Sequence, residues 1–165
     1  MHSETVIIDV KTIRDLLLIS PNELTVVGTT SMRSLESLFW LGQLMSKNPG
    51  MVTLAISQWE PYGYEKDQVI TVKESLTQVL NYCEARKLNQ ILFTTRLMIV
   101  PGYRFKICKR LITNFHQPSS TLLLLVAALV GSDWMKIYDY ALTNDFRFLS
   151  YGDSSLLELQ VFQDE

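Results

Sequence analysis

Apolar positions along this chain fall into short β-branched runs that alternate with stretches spaced three and four apart, so strands and helices are predicted in alternation. Residues 5–10 (TVIIDV) predict a strand, and residues 11–18 a short helix closed by Ser20-Pro21. Residues 24–27 predict a second strand running straight into Gly28-Thr29-Thr30. Residues 31–41 then place Met32, Leu35, Leu38 and Phe39 at helical spacing. A strand, a glycine with two hydroxyls, and a helix in succession is the local grammar of an α/β sheet. Residues 51–56 predict another strand and residues 58–67 an exposed loop. Thr71 and Glu74 have the spacing of a capping box, opening a helix whose apolar face carries Val72, Leu76, Val79, Leu80 and Cys83. Residues 90–95 return as a strand.

In the second half, residues 98–100 and 103–107 predict two short extended pieces around Pro101-Gly102. Residues 111–115 predict a strand ending at His116-Gln117-Pro118. Residues 119–130 predict a helix stopped by Gly131, and its run 122–130 is apolar enough to expect burial on all sides. Asp133 is placed to cap a last helix bearing Trp134, Ile137, Tyr138, Ala141 and Leu142. Residues 146–149 and 156–162 predict extended segments separated by Tyr151-Gly152-Asp153. With no repeats, linkers or low-complexity tracts, residues 1–165 are expected to form a single α/β domain. Its expected core is a mixed, largely parallel sheet flanked by helices.

Composition narrows the function classes. At 165 residues, with 47% hydrophobic and 19% charged residues, the chain suits one sizeable core and argues against disorder. The net charge of −2 supplies no global attraction to nucleic acid, so an RNA contact would need a local patch. Cys83 and Cys108, and likewise His2 and His116, lack metal-ligand spacing, so no metal is expected. The longest apolar run is too short for a bilayer, which takes roughly 20 residues. A soluble protein of the reducing cytoplasm is the expectation, with no membrane partner.

Four places could carry chemistry. Gly28-Thr29-Thr30 lies where free helix N–H groups attract a carboxylate or phosphate; alternatively Thr30 only caps the helix. Asn114 through Thr121 (NFHQPSST) puts an imidazole at a strand-to-helix junction, with hydroxyls leading into an apolar helix. His116 there suits general acid or base work, or a structural bond to nearby backbone. Residues 147–153 (RFLSYGD) offer Arg147 for a carboxylate and Asp153 for ribose hydroxyls, or a mutual surface ion pair. Arg104, Lys106, Lys109 and Arg110, interleaved with Tyr103 and Phe105, suit a phosphate backbone with stacked bases, or a solvated hairpin.

Taken in order, these stretches resemble one family, the S-adenosylmethionine:tRNA ribosyltransferase-isomerases of queuosine biosynthesis. His2-Ser3-Glu4 after Met1 resembles the MHxE segment. Residues 27–37 are similar to VGTTxxRxLES, residues 101–106 to PGYxF(K/R), residues 111–123 to LITNFHxPxSTLL, and residues 146–157 to YRFxSYGDxxLL with Phe146 in place of tyrosine. Family members carry an N-terminal part before MHxE, including an inserted small β-barrel domain. The chain is therefore expected to be the C-terminal portion of the main domain of a larger two-domain enzyme. Two departures stand out: Lys109-Arg110 replace the usual Asp-Gly, and residues 51–95 contain a QWEP loop and capped helix foreign to the common form.

The resemblance implies a reaction. Such enzymes move the ribosyl part of S-adenosylmethionine, a consumed co-substrate, onto 7-aminomethyl-7-deazaguanine at the tRNA wobble position, giving epoxyqueuosine without a metal. On this reading His116 transfers protons and Asp153 meets the ribose or sulfonium. Gly28, Thr29, Thr30 and Arg33 hold the methionine carboxylate or a phosphate, and Tyr103 or Tyr151 stacks a base. Asn114, Thr121, Arg147 and Gly152 complete the binding set, and Arg104, Lys106, Lys109 and Arg110 are the candidate tRNA contacts. The alternatives are a non-catalytic nucleoside- or tRNA-binding fragment, a diverged homologue acting on another substrate, and an inactive fragment that forms a homo-oligomer through apolar surface.

Overall fold

The computed structural model describes residues 2–20 and 24–159. Met1, Pro21 and the end of the segment expected at 156–162 lie outside them. In chain order the elements are β1 (Glu4–Asp9), α1 (Val10–Leu18), β2 (Thr25–Val27), α2 (Thr29–Lys47), β3 (Ala55–Ile56), α3 (Val72–Ala85), β4 (Gln90–Thr95), β5 (Arg110–Asn114), α4 (Thr121–Val130), α5 (Asp133–Thr143) and β6 (Ser154–Glu158).

The strands form two three-stranded sheets, ordered β1-β4-β3 and β2-β5-β6. In the first, Val6 and Ile8 of β1 and Ile91 and Phe93 of β4 point inward, the period of two that residues 5–10 and 90–95 encode. Helix α2 lies between the sheets and against α3. Met32, Leu38, Phe39 and Leu41 are fully buried along it, which joins both halves into one core. The Thr71–Glu74 capping box is present in both directions at the start of α3. No single helix among the described residues is long and apolar enough to cross a membrane.

The mixed α/β arrangement with flanking helices is as expected, but the share of parallel pairing is smaller. β2 with β5 and β3 with β4 are parallel, whereas β1 with β4 and β5 with β6 are antiparallel. Apolar patterning identifies a strand without giving its direction, and β1 and β6 enter as antiparallel edges.

Several extended segments are not ladder strands, because side chains take their backbone groups. The Val100 N–H donates to the Tyr62 hydroxyl, and the N–H groups of Lys106, Ile107 and Cys108 donate to the Glu36 carboxylate. Likewise the Arg147 N–H donates to Asp153 Oδ2, while that of Leu149 goes to the backbone carbonyl of Phe115 outside any ladder. Of residues 51–56 only the last two pair as a strand. Residues 58–67 contain a 3₁₀ turn, Glu60–Gly63, and a second, Lys66–Gln68, follows at their end. Helix α2 begins at Thr29 with Gly28 as its N-cap, so Thr30 is not the cap. Ser132 rather than Asp133 occupies the N-cap of α5. Helix α4 is buried along its last two turns, but Leu124 remains 40% exposed.

Candidate functional site

β2 and β5 run parallel, with Val27 opposite Ile112, so the turns after both strands emerge at one end of their sheet. Gly28 follows β2 there, its N–H bonded to the Ile112 carbonyl at 2.8 Å. β6 enters from the same end, since Asn114 pairs with Ser154. Three loops therefore meet along one edge: Gly28 to Thr30, Asn114 to His116, and Tyr151 to Asp153. In open α/β sheets ligands sit beyond the carboxyl ends of parallel strands, and these loops occupy that place.

Gly28 adopts φ +87°, a left-handed value that a side chain would strain, and the space where a Cβ would project is open. Behind it the first turn of the 19-residue α2 presents its N–H groups, with Thr30 exposed and Thr29 buried. Asn114 binds across to the third loop, its Nδ2 donating to the carbonyls of Gly152 at 3.2 Å and Asp153 at 3.3 Å.

His116 is half-buried beside them. Its Nε2 lies 3.0 Å from Thr113 Oγ1, and its N–H donates to the Tyr138 hydroxyl at 3.0 Å. Nδ1 has no hydrogen-bond partner among the described residues. Burial lowers the imidazole pKa from 6.5, which keeps the ring neutral at pH 7. Thr121 opens α4 on the exposed side, one residue past the Ser120 cap. Ser119 between them sits at φ 62°, and Leu149 in the third loop at φ 67°, so two non-glycine residues at this edge adopt left-handed backbone.

The third loop is closed on itself. Arg147 donates its N–H to Asp153 Oδ2 at 2.8 Å, and its carbonyl accepts from the Asp153 N–H at 2.8 Å. A guanidinium contact at 3.4 Å completes the pair. The mutual ion pair is therefore the arrangement observed. Hydrogen bonds from the Arg147 backbone and side chain hold the Asp153 carboxyl below its ordinary 3.8. Gly152 packs so tightly that a Cβ there would come 2.2 Å from the Arg147 carbonyl oxygen. Tyr151 projects beyond the turn, 96% exposed, with its ring free for stacking.

Other expected site residues lie elsewhere. Arg33 is buried and forms an ion pair with Glu4, tying α2 to β1, so it does not face a ligand as an open cation. Tyr103 is 5% exposed, and its hydroxyl donates to Glu36 and accepts from the Trp40 indole, so it has no exposed face on which to stack a base. Arg110 begins β5 and Asn114 ends it, a separation of roughly 13 Å at about 3.3 Å per residue. The cations Arg104, Lys106, Lys109 and Arg110 thus belong to the opposite end of the sheet from His116.

Glu36 was not singled out by the sequence reading. Its carboxylate is 0% exposed and accepts from the Tyr103 hydroxyl and from three consecutive backbone N–H groups, Lys106 to Cys108, at 2.7 to 2.9 Å. Burial and this nearby charge push the Tyr103 phenol well above its usual range. The signal was an acid spaced four residues from Met32 and three from Phe39, on the apolar stripe of α2. Among the described residues no group of three His, Cys, Asp or Glu side chains could hold a metal ion.

The profile of a family described as Queuosine biosynthesis protein matches residues 1–157. The chain belongs to the queuosine biosynthesis protein family. An S-adenosylmethionine:tRNA ribosyltransferase-isomerase from Acidiphilium cryptum is 58% identical over 65 residues, covering 39% of this chain and 19% of that protein. The namesake from Cereibacter sphaeroides is 56% identical over 64 residues, covering 38% of this chain and 18% of that protein. The crystal structure of an S-adenosylmethionine tRNA ribosyltransferase from Thermotoga maritima superposes with a TM-score of 0.57 at 28% identity, covering 93% of this chain and 40% of that one. The chain thus spans less than half the length of that tRNA ribosyltransferase, and about a fifth of each curated relative is matched. All three loops at the His116 edge fall inside the family match.

Proposed function

We propose that this chain carries part of the reaction named for its relatives. That reaction is transfer and isomerisation of the ribosyl moiety of S-adenosylmethionine onto 7-aminomethyl-7-deazaguanine at the tRNA wobble position. The observation that carries this reading is the meeting of Gly28–Thr30, Asn114–His116 and Tyr151–Asp153 at one sheet end. The residues fit the co-substrate: an open helix N-terminus suits a carboxylate, and a neutral imidazole and an ionised carboxylate stand at the same edge. S-adenosylmethionine supplies a ribosyl group activated by its sulfonium.

The amides of Thr29 and Thr30, with the Thr30 hydroxyl, orient the methionine carboxylate. His116 accepts or returns a proton at Nδ1, while Thr113 fixes the ring through Nε2. Asp153 uses the lone pairs left over from Arg147 to accept from ribose hydroxyls. Asn114 holds Gly152 and Asp153 in place, Thr121 adds a hydroxyl at the mouth of α4, and Tyr151 offers its ring to a base. Cys83 and Cys108 are buried free thiols, in keeping with a cytoplasmic location.

The test is to incubate the protein with labelled S-adenosylmethionine and tRNA bearing the deazaguanine, following free adenine and label on the tRNA. Adenine release coupled to labelling is the expected result. Binding without release would replace the enzyme reading with that of a binding module.

A further inference from the structure

At the end of the sheet away from His116, the segment that precedes α3 folds over the Tyr103–Lys106 stretch and leaves a cavity of about 470 Å³. That volume lies within the range of small-molecule sites, roughly 300–1,000 Å³. Its walls are aromatic. Trp40 and Tyr64 meet at 5.4 Å between ring centroids, and Tyr62 packs edge-on to Tyr103 at 6.3 Å. The Tyr62 hydroxyl is clamped between the Met98 carbonyl and the Val100 N–H, which fixes that wall. The Tyr64 hydroxyl donates to Glu60, and burial with that carboxylate raises its pKa to about 12.

The lining is also cationic, with Lys66, Arg104 and Lys106 against one acid, Glu65. The Arg104 side chain makes no ion pair or hydrogen bond among the described residues. Lys106 is half-buried, and its Nζ lies 5.6 Å and 5.8 Å from the Phe39 and Trp40 ring centroids. The Glu36 carboxylate accepts from four other donors and acts on the Lys106 ammonium only through its charge, so both cations line the cavity without a direct ion pair. Rigid aromatic walls beside an unpaired guanidinium and a half-buried ammonium call for a planar ring attached to an anionic group.

We propose that this cavity receives one nucleotide unit, its base against the Tyr62 and Tyr64 rings and its phosphate on Arg104 and Lys106. Given the tRNA reaction proposed above, on which only this assignment to RNA rests, the unit is another nucleotide of the anticodon stem-loop rather than the modified base, because the cavity lies at the far end of β5 from His116.

Calorimetric titration with adenosine 5′-monophosphate, and separately with a synthetic anticodon stem-loop, tests this. The mononucleotide should bind, adenosine should bind about a hundredfold more weakly, and Arg104→Ala and Lys106→Met should each weaken the mononucleotide by about tenfold, the scale of one charge-assisted hydrogen bond. A parallel loss for the stem-loop assigns the site to RNA, and a loss confined to the mononucleotide assigns it to free nucleotide. No mononucleotide binding, or binding indifferent to both substitutions, overturns the proposal. The titration needs neither S-adenosylmethionine nor His116, so its failure would leave adenine release unaffected, and a failure of adenine release would leave this binding intact.

Discussion

Thr113 Oγ1 stands 3.0 Å from His116 Nε2, three residues on across the end of β5, and this pairing leaves Nδ1 as the open face of the imidazole. A neutral ring held by one nitrogen and free at the other is the arrangement a proton-transfer residue needs. Burial lowers the ring's pKa from 6.5, so the competent neutral form predominates at pH 7.

Turnover should therefore rise with pH along an acid limb whose midpoint lies below 6.5. Stability should follow the same sign. The unfolded chain binds this proton more tightly, so the fold weakens as pH falls through 6.5 and the loss levels off below the folded pKa. A proton titration followed by NMR on the His116 ring checks both. A midpoint above 6.5 contradicts them.

Gly152 has no room for a side chain, since a Cβ would meet the Arg147 carbonyl. Gly152→Ala should open the Arg147–Asp153 turn and cost about 1–3 kcal/mol, the usual penalty of overpacking. Denaturant unfolding reads the cost, and faster exchange of the Arg147 amide would report the loss of its bond to Asp153.

Glu36 organises the stretch from Tyr103 to Cys108 by accepting all four of its donors in a buried place. Glu36→Ala should cost at least about 3 kcal/mol, because several buried donors lose their acceptor together. Unfolding curves would show it, and a change below 1 kcal/mol would contradict the packing described here.

The capping box opening α3 gives a smaller and more local prediction. Thr71→Ala removes the acceptor for the Glu74 N–H and should cost about 1 kcal/mol without altering the His116 edge.

Legibility in the sequence followed the kind of interaction. β4 and the start of α3 were readable to the residue, because period-two burial and capping chemistry are local. β5, α4 and the Gly28 turn came through within two residues for the same reason. What stayed hidden was long-range. Residues 98–108 have extended apolar patterning, yet their N–H groups go to Tyr62 and to Glu36 some seventy positions away. Arg33 is expected to hold a carboxylate or phosphate of a ligand until β1 brings Glu4 against it. Tyr103 reads as a stacking ring until Trp40 and Glu36 close over its hydroxyl. The contact between the Asn114 amide and the Gly152 and Asp153 carbonyls could not be read from spacing either, since it depends on β6 lying antiparallel to β5.

The central claim is that three loops at one sheet end form a single reaction centre, with His116 moving the proton. It is tested most directly by adenine release from S-adenosylmethionine by His116→Ala in the presence of the deazaguanine-bearing tRNA. The account predicts a fall of about a hundredfold or more, the usual scale of general acid–base catalysis, with unchanged co-substrate affinity and thermal midpoint. Near-normal release from a folded variant would contradict it.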